Sequence, residues 1–239
     1  MIRFNYISEK DYGFTVKNIQ RDVVPKFNNI TYSRTGGNGL RFVKKSLGER
    51  SIKIEFHIKN AKTLEELQDK LQLIAEWFNV DQPCRLEFDD MPGKYLMVMP
   101  DGLIDSSQIY TYSTVSVSLI AFDPYYYDVD RTELSLTGTG CLHNISTAPC
   151  SWELELVFNK GVTRPEVNIG NIELRFNTDP KQSDVITVNS EGVITINKTK
   201  NYNILSYLSK IGELVTGDSD YSIPDGVTAT FKYTNKFIR

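Results

Sequence analysis

The sequence is short of the residues that do most chemistry. Its 239 residues include only two histidines, three cysteines, four methionines and two tryptophans. Cys84, Cys141 and Cys150 are too few, and odd in number, for the disulfide framework of a small secreted domain. Charge is nearly balanced, 27 Lys and Arg against 30 Asp and Glu, for a formal net charge of -3. That balance lacks the basic excess that draws a chain to nucleic acid, and there is no acidic or basic tail. No run of about 18 apolar residues occurs, so no membrane-spanning helix is expected. The opening "MIRFNYISEKDYG" has no apolar stretch and no cleavage site. No leader is expected, and the chain is expected to be made and kept in a cytoplasm until it joins something larger. The sequons at Asn29, Asn144 and Asn197 then carry no weight, because glycosylation needs secretion.

What remains is enough for a core. Hydrophobic residues make up 40% of the chain and charged residues 24%. The length suits one large or two small domains. One helix is written into "TLEELQDKLQLIAEWFNV": Thr63 and Glu66 form a capping-box pattern, and Leu64, Leu67, Leu71, Ile74 and Phe78 make one apolar stripe. Asn79 and Pro83 end it.

Almost everything else alternates with period two, as strands do. In "SIKIEFHIK", Ile52, Ile54, Phe56 and Ile58 share one face; in "TVSVSLIAF", Val115, Val117, Leu119 and Ala121 do. "CRLEFDDMPGKYLMVMP" reads as two strands around a Met-Pro-Gly turn. After Tyr127 no helix pattern is left except a single turn's worth in "SYLSKIGEL". "WELELVFN" and "GVTATFKY" are strands, and "EVNIGNIELRF" and "DVITVNSEGVITIN" are hairpins. The fold class is therefore mainly β. Residues 1–128 are expected to form a β domain with one helix, and 129–239 an all-β sandwich or jelly roll.

The candidates for chemistry are thin. His57 falls on the polar face of its strand. Cys141, His143 and Cys150 do not have a usual zinc spacing and lack an obvious fourth ligand, so no metal is expected. "RTGGNGLRF" is neither a Walker nor a dinucleotide loop, because a strand and not a helix follows it. Glu153 and Glu155 share a strand face that is expected to be solvated, and Asp89-Asp90 is too small a set of oxygens for calcium. Arg34, Arg41, Lys44, Lys45 and Arg50 form a basic group without the interleaved aromatics of a single-strand binder, which favours a subunit contact over nucleic acid. No cofactor and no catalytic residue is expected. In "AFDPYYYDVDR", Asp123-Pro124 stops a strand. Pro124, Tyr125, Tyr126 and Tyr127 then read first as the packed seam between two domains. A sugar platform is the sharper alternative, but three adjacent strand residues cannot all face one way.

Taken in order, several pieces resemble the distal tail proteins of long-tailed phages and prophages of Gram-positive bacteria. The stretch "NITYSRTGGNGLRFVKKSLGERSIKIEFHI" resembles that family's early strand, glycine-containing arm and following strand. "LEELQDKLQLIAEWF" is similar to its single helix, "CRLEFDDMPGKYLMVM" to its hairpin and "VSVSLIAFDPYYYD" to its closing strand. "SIPDGVTATFKYTNKFIR" is similar to its usual ending. The resemblance implies a β-sandwich or barrel-like N-terminal domain with one helix and an extended arm, then a galectin-like β-sandwich. It implies a non-enzymatic virion protein at the tail tip: a homohexameric hub ring joining the tail tube to the tail-associated fibre or lysin protein, with C-terminal domains able to carry receptor-binding proteins. Residues 32–47 are then the inter-subunit arm, with Arg34, Gly36, Gly37, Gly39, Arg41, Lys44 and Lys45 in it. Two other readings stand beside this one: a carbohydrate-binding module for host cell-wall polysaccharide, and a cell-wall hydrolase. The absence of a nucleophile, histidine and acid arrangement argues against the last.

Overall fold

The computed structural model describes residues 1–33, 35–36, 38–58, 63–102, 105–109 and 112–238. Two compact units emerge: Met1–Tyr126, rejoined by Ile238, and Tyr127–Phe237.

The first unit contains strands β1 (Ile2–Phe4), β2 (Ile7–Ser8), β3 (Thr15–Arg21), β4 (Phe27–Ser33), β5 (Leu40–Leu47) and β6 (Arg50–Ile58). Helix α1 (Leu64–Phe78) follows, then β7 (Cys84–Phe88), β8 (Lys94–Pro100), β9 (Asp105–Ile109) and β10 (Tyr112–Ala121). Its main sheet is antiparallel, in the order β2-β1-β7-β8-β10-β6-β3, with β9 beside β10. The alternation read in the sequence sets its faces: Ile52, Ile54, Phe56 and Ile58 are buried on β6, and Val115, Val117, Leu119 and Ala121 on β10. Helix α1 closes this core through its last two turns. Phe78 stacks on Phe4 with ring centroids 4.8 Å apart, and Trp77 packs near Phe56 at 5.8 Å. The Trp77 indole N–H donates to the Phe4 carbonyl at 3.2 Å, which satisfies its one polar atom. Thr63 caps the helix by accepting from the Glu66 N–H at 3.1 Å, as its sequence predicts.

The expected apolar stripe of α1 is buried only at its C-terminal end. Ile74, Trp77 and Phe78 are buried, Leu67 and Leu71 are half-buried, and Leu64 is 68% exposed. The sheet lies under the last turns and leaves the first turn in solvent.

The second unit is a galectin-like β-sandwich. Its strands are β11 (Tyr126–Asp128), which begins on the last residue of the first unit, β12 (Thr132–Leu136), β13 (Thr139–Asn144), β14 (Trp152–Phe158), β15 (Glu166–Ile169) and β16 (Ile172–Arg175). Then come β17 (Val185–Asn189), β18 (Ile194–Ile196), β19 (Thr199–Lys200), β20 (Gly217–Ser222), β21 (Val227–Tyr233) and β22 (Lys236–Phe237). One sheet runs β12-β21-β14-β17-β18-β19 and the other β13-β20-β15-β16. Their inner faces interdigitate through Trp152, Leu154, Leu156 and Phe158 of β14, Ile169 and Leu174 of the opposite sheet, and Phe231 of β21. Both hairpins predicted here form, with the register Ile169↔Ile172 in one and Val188↔Ile194 in the other.

"SYLSKIGEL" does not make a helix. A single turn closes between Ser206 and Ser209, with the Ser209 N–H on the Ser206 carbonyl at 3.0 Å. The flanking residues are extended and bridge to the sheet edges at Phe176↔Leu205, Glu173↔Lys210 and Cys150↔Leu214. Backbone groups at the open edge of β16 find partners this way, which outweighs a weak local helix preference.

Candidate functional site: an exposed hairpin arm

Strands β4 and β5 form a two-stranded sheet of their own. Every residue of β4 is exposed, and all of β5 except its last two residues. A lone hairpin of this length is marginal in water, and this one exposes six large apolar side chains: Phe27, Ile30, Tyr32, Leu40, Phe42 and Val43. A monomer normally avoids such a surface; contiguous apolar exposure marks a contact site.

A β-bulge sorts the two faces of this arm. The register pairs Phe27↔Leu47, Asn29↔Lys45 and Ile30↔Lys44, then slips so that Thr31 faces Phe42 and Tyr32 faces Arg41. Val43 is the extra residue. Directly opposed residues share a face. One face therefore carries Phe27, Leu47, Phe42 and Leu40, with Lys45 Nζ over the Phe27 ring at 3.4 Å. The other carries Ile30, Tyr32, Lys44 and Arg41. Without the bulge, Phe42 and Leu40 would fall with Lys44, and Arg41 with Lys45. The slip moves Phe42 and Leu40 to the face of Phe27 and Leu47, and sets Arg41 with Lys44 beside Ile30 and Tyr32.

At the tip, Gly36 and Gly39 have φ of 79° and 84°, in the left-handed region that costs glycine nothing. Arg34 and Gly37, expected in the arm, lie outside the described residues. The remaining arm candidates, Gly36, Gly39, Arg41, Lys44 and Lys45, all belong to this hairpin or its tip. The hairpin is longer than the expected 32–47, because pairing starts at Phe27.

The stem is fixed. The Gly48 N–H donates to the Lys26 carbonyl at 2.7 Å, and Lys26 Nζ meets Glu49 at 3.1 Å. Glu49's own backbone N–H and then Lys26 hold its carboxyl below the usual range. Just beyond, Arg50 is 1% exposed, which separates it from the solvated basic group it was read with. Its guanidinium donates to the carbonyls of Pro124 at 3.1 Å, Ile238 at 2.6 Å and Asp22, and lies 4.9 Å from the Tyr126 ring centre. Burial lowers its pKa, and Tyr126 and Asp22 oppose that shift. Sequence reasoning missed this anchor. Its partners are backbone carbonyls, which no residue type announces.

The tyrosines separate by alternation. Pro124 and Tyr126 are buried, whereas Tyr125 and Tyr127 are half-buried. Tyr126 packs on Arg50 and is closed to any sugar. Tyr127 lies 5.7 Å from Lys236 Nζ.

The other candidates do not converge. Cys150 is buried with its thiol 3.0 Å from Ser146 Oγ, Cys141 is exposed, and His143 pairs with Asp218 at 2.5 Å. Among the described residues no three His, Cys, Asp or Glu side chains are placed to hold a metal. Asp89 meets the chain's N-terminus at 3.6 Å, and Asp90 meets Arg21. Glu153 is engaged by Arg131 at 3.4 Å. No described helix is long and apolar enough to cross a membrane.

Residues 8–121 match the phage tail protein RIFT-related domain, and residues 145–237 match the C-terminal domain of a siphovirus-type tail component. The two matches fall in the two units and span most of the chain, which makes this a two-unit component of a phage tail. The chain belongs to the distal tail, or Dit, proteins of siphovirus-type phages. Its fold is similar to that of the Dit protein of phage SPP1, described as a paradigm of hub adsorption apparatus in phages infecting Gram-positive bacteria. The two share 15% sequence identity at a TM-score of 0.86, over 99% of this chain and 98% of that one. The phage p2 baseplate in its activated conformation gives a weaker likeness: TM-score 0.47 at 8% identity in the strontium form, over 93% of this chain and 90% of that one. No curated protein sequence matches the chain.

Proposed function

We propose that this chain is the hub of a phage tail tip and acts without catalysis. Six copies close into a ring through their N-terminal units, and the arm of each copy reaches the next. The ring joins the tail tube on one side to the tail-associated fibre or lysin protein on the other. The C-terminal sandwiches carry receptor-binding proteins. The observation that carries this reading is the arm, a paired hairpin with six exposed apolar side chains. A closed ring needs one surface of each subunit to meet a different surface of its neighbour, and a projecting hairpin supplies one of the two. The test is deletion of residues 35–46. The shortened chain is expected to fold with an unchanged circular dichroism spectrum and to fail to form rings. Rings that survive the deletion would refute the role of the arm.

The carbohydrate-binding reading keeps one specific observation. Tyr207 stands 94% exposed on the turn after Tyr202, itself 59% exposed. If the sandwich takes cell-wall glycan, Tyr207→Ala in the full chain removes binding to purified polysaccharide. No binding by the unmodified chain dismisses this reading.

A further inference from the structure

The arm is one half of a contact, and the structure also offers a surface for the other half. The first turns of α1 leave an apolar strip uncovered: Leu64 is 68% exposed, and Leu71, almost two turns on, is half-buried. At 100° per residue these two lie within about 20° of each other around the helix. Glu65, Asp69 and Glu76 lie together on the adjoining exposed face, and Glu65 and Glu66 stand in the first turn, where the helix dipole favours negative charge. This strip continues, toward the helix N-terminus, the same face that packs on the core at Ile74 and Phe78; Leu64 lies beyond the sheet that covers the last turns, with carboxylates along one edge of the strip.

The cationic face of the arm is its complement. Ile30 and Tyr32 supply apolar surface, and Arg41 and Lys44 stand beside them on the paired strand. Opposed potentials over matched apolar surfaces give a contact both register and encounter rate. Resting on the reading of the arm as an inter-subunit element, we infer that the Ile30, Tyr32, Arg41 and Lys44 face of one copy docks on the Leu64 and Leu71 strip of a second copy's helix α1, with Arg41 and Lys44 against Glu65 and Asp69. The contact is heterologous, so each copy uses both halves, as a ring requires. The opposite arm face, with Phe27, Leu40 and Phe42, stays available for other partners.

The test is charge reversal in the full chain, read by sedimentation equilibrium at about 0.15 M salt, where solvent screening still leaves close pairs their effect. Arg41→Glu with Lys44→Glu is expected to weaken self-association at least tenfold. Glu65→Lys with Asp69→Lys is expected to do the same. The four changes together should recover most of the loss. All four side chains are exposed, so each variant should fold as the parent does. A second measurement mixes a Tyr32→Cys copy with a Gln68→Cys copy, both carrying Cys84→Ser and Cys141→Ser. Oxidation should yield cross-linked dimers from the mixture and not from either copy alone. Association untouched by either reversal while deletion of 35–46 abolishes it overturns this docking and leaves the arm's role standing. Association that survives both reversals and the deletion overturns both. A parent chain that never self-associates overturns the docking as well.

Discussion

Arg50 shows how a single side chain holds the base of the arm. It follows the last stem residue, and its guanidinium reaches carbonyls from three separate stretches of the first unit: Asp22 before the arm, Pro124 after β10, and Ile238 at the end of the chain. Removing it leaves the buried Pro124 carbonyl without its donor, a loss on the order of 1–3 kcal/mol, and takes a donor from the part-buried carbonyls of Asp22 and Ile238 as well. Arg50→Met is therefore expected to lower unfolding stability by about 3 kcal/mol in urea titration, whereas the exposed Lys44→Met stays within about 0.5 kcal/mol. Equal, small effects would show that the carbonyls find other donors. Much at this scale was legible. The alternating residues of β6, β10 and β14 face inward as their spacing predicts. Arg50 was not legible, because a string of residue types does not show where carbonyls converge.

At the scale of elements, helix α1 and the arm departed from their patterns in the same direction. Both expose apolar surface that periodicity alone assigns to a core. A 3.6-residue stripe says which side of a helix is apolar and not how far along it a sheet extends. Ile74→Ala should cost about 3 kcal/mol of stability, and Leu64→Ala within about 0.5 kcal/mol, by thermal or urea unfolding. A large loss at Leu64 would mean that its strip is covered within one chain. The arm was visible as glycines and cations, but its start at Phe27 and its bulge were not, since a bulge leaves no mark in composition. The stem adds a pH dependence. The Glu49 carboxyl titrates below its unfolded value, so its contribution is present above the unfolded pKa and is lost as pH falls through the lowered folded value. Exchange protection of the stem amides, corrected for intrinsic rates, should hold at neutral pH and fall only below about pH 4. Glu49→Gln should remove that acid step. An unchanged step in the variant would assign it to another group.

For the whole molecule, the order of motifs said more than any one of them. The arm, the helix, the Asp-Asp hairpin and the Asp-Pro-Tyr strand are each common, and together they pointed to the family that both domain matches then showed. What the sequence could not display is the second half of each contact, because an assembly surface is made by residues that look like ordinary solvated ones until a partner covers them. The central claim is that this chain assembles, and that it does so by its arm. Negative-stain electron microscopy over a concentration series, run in parallel on the full chain and on the chain lacking residues 35–46, tests this most directly. The account predicts six-fold rings with a central opening for the full chain and isolated particles for the shortened one. Rings from both chains, or isolated particles from the full chain at every concentration, would contradict it.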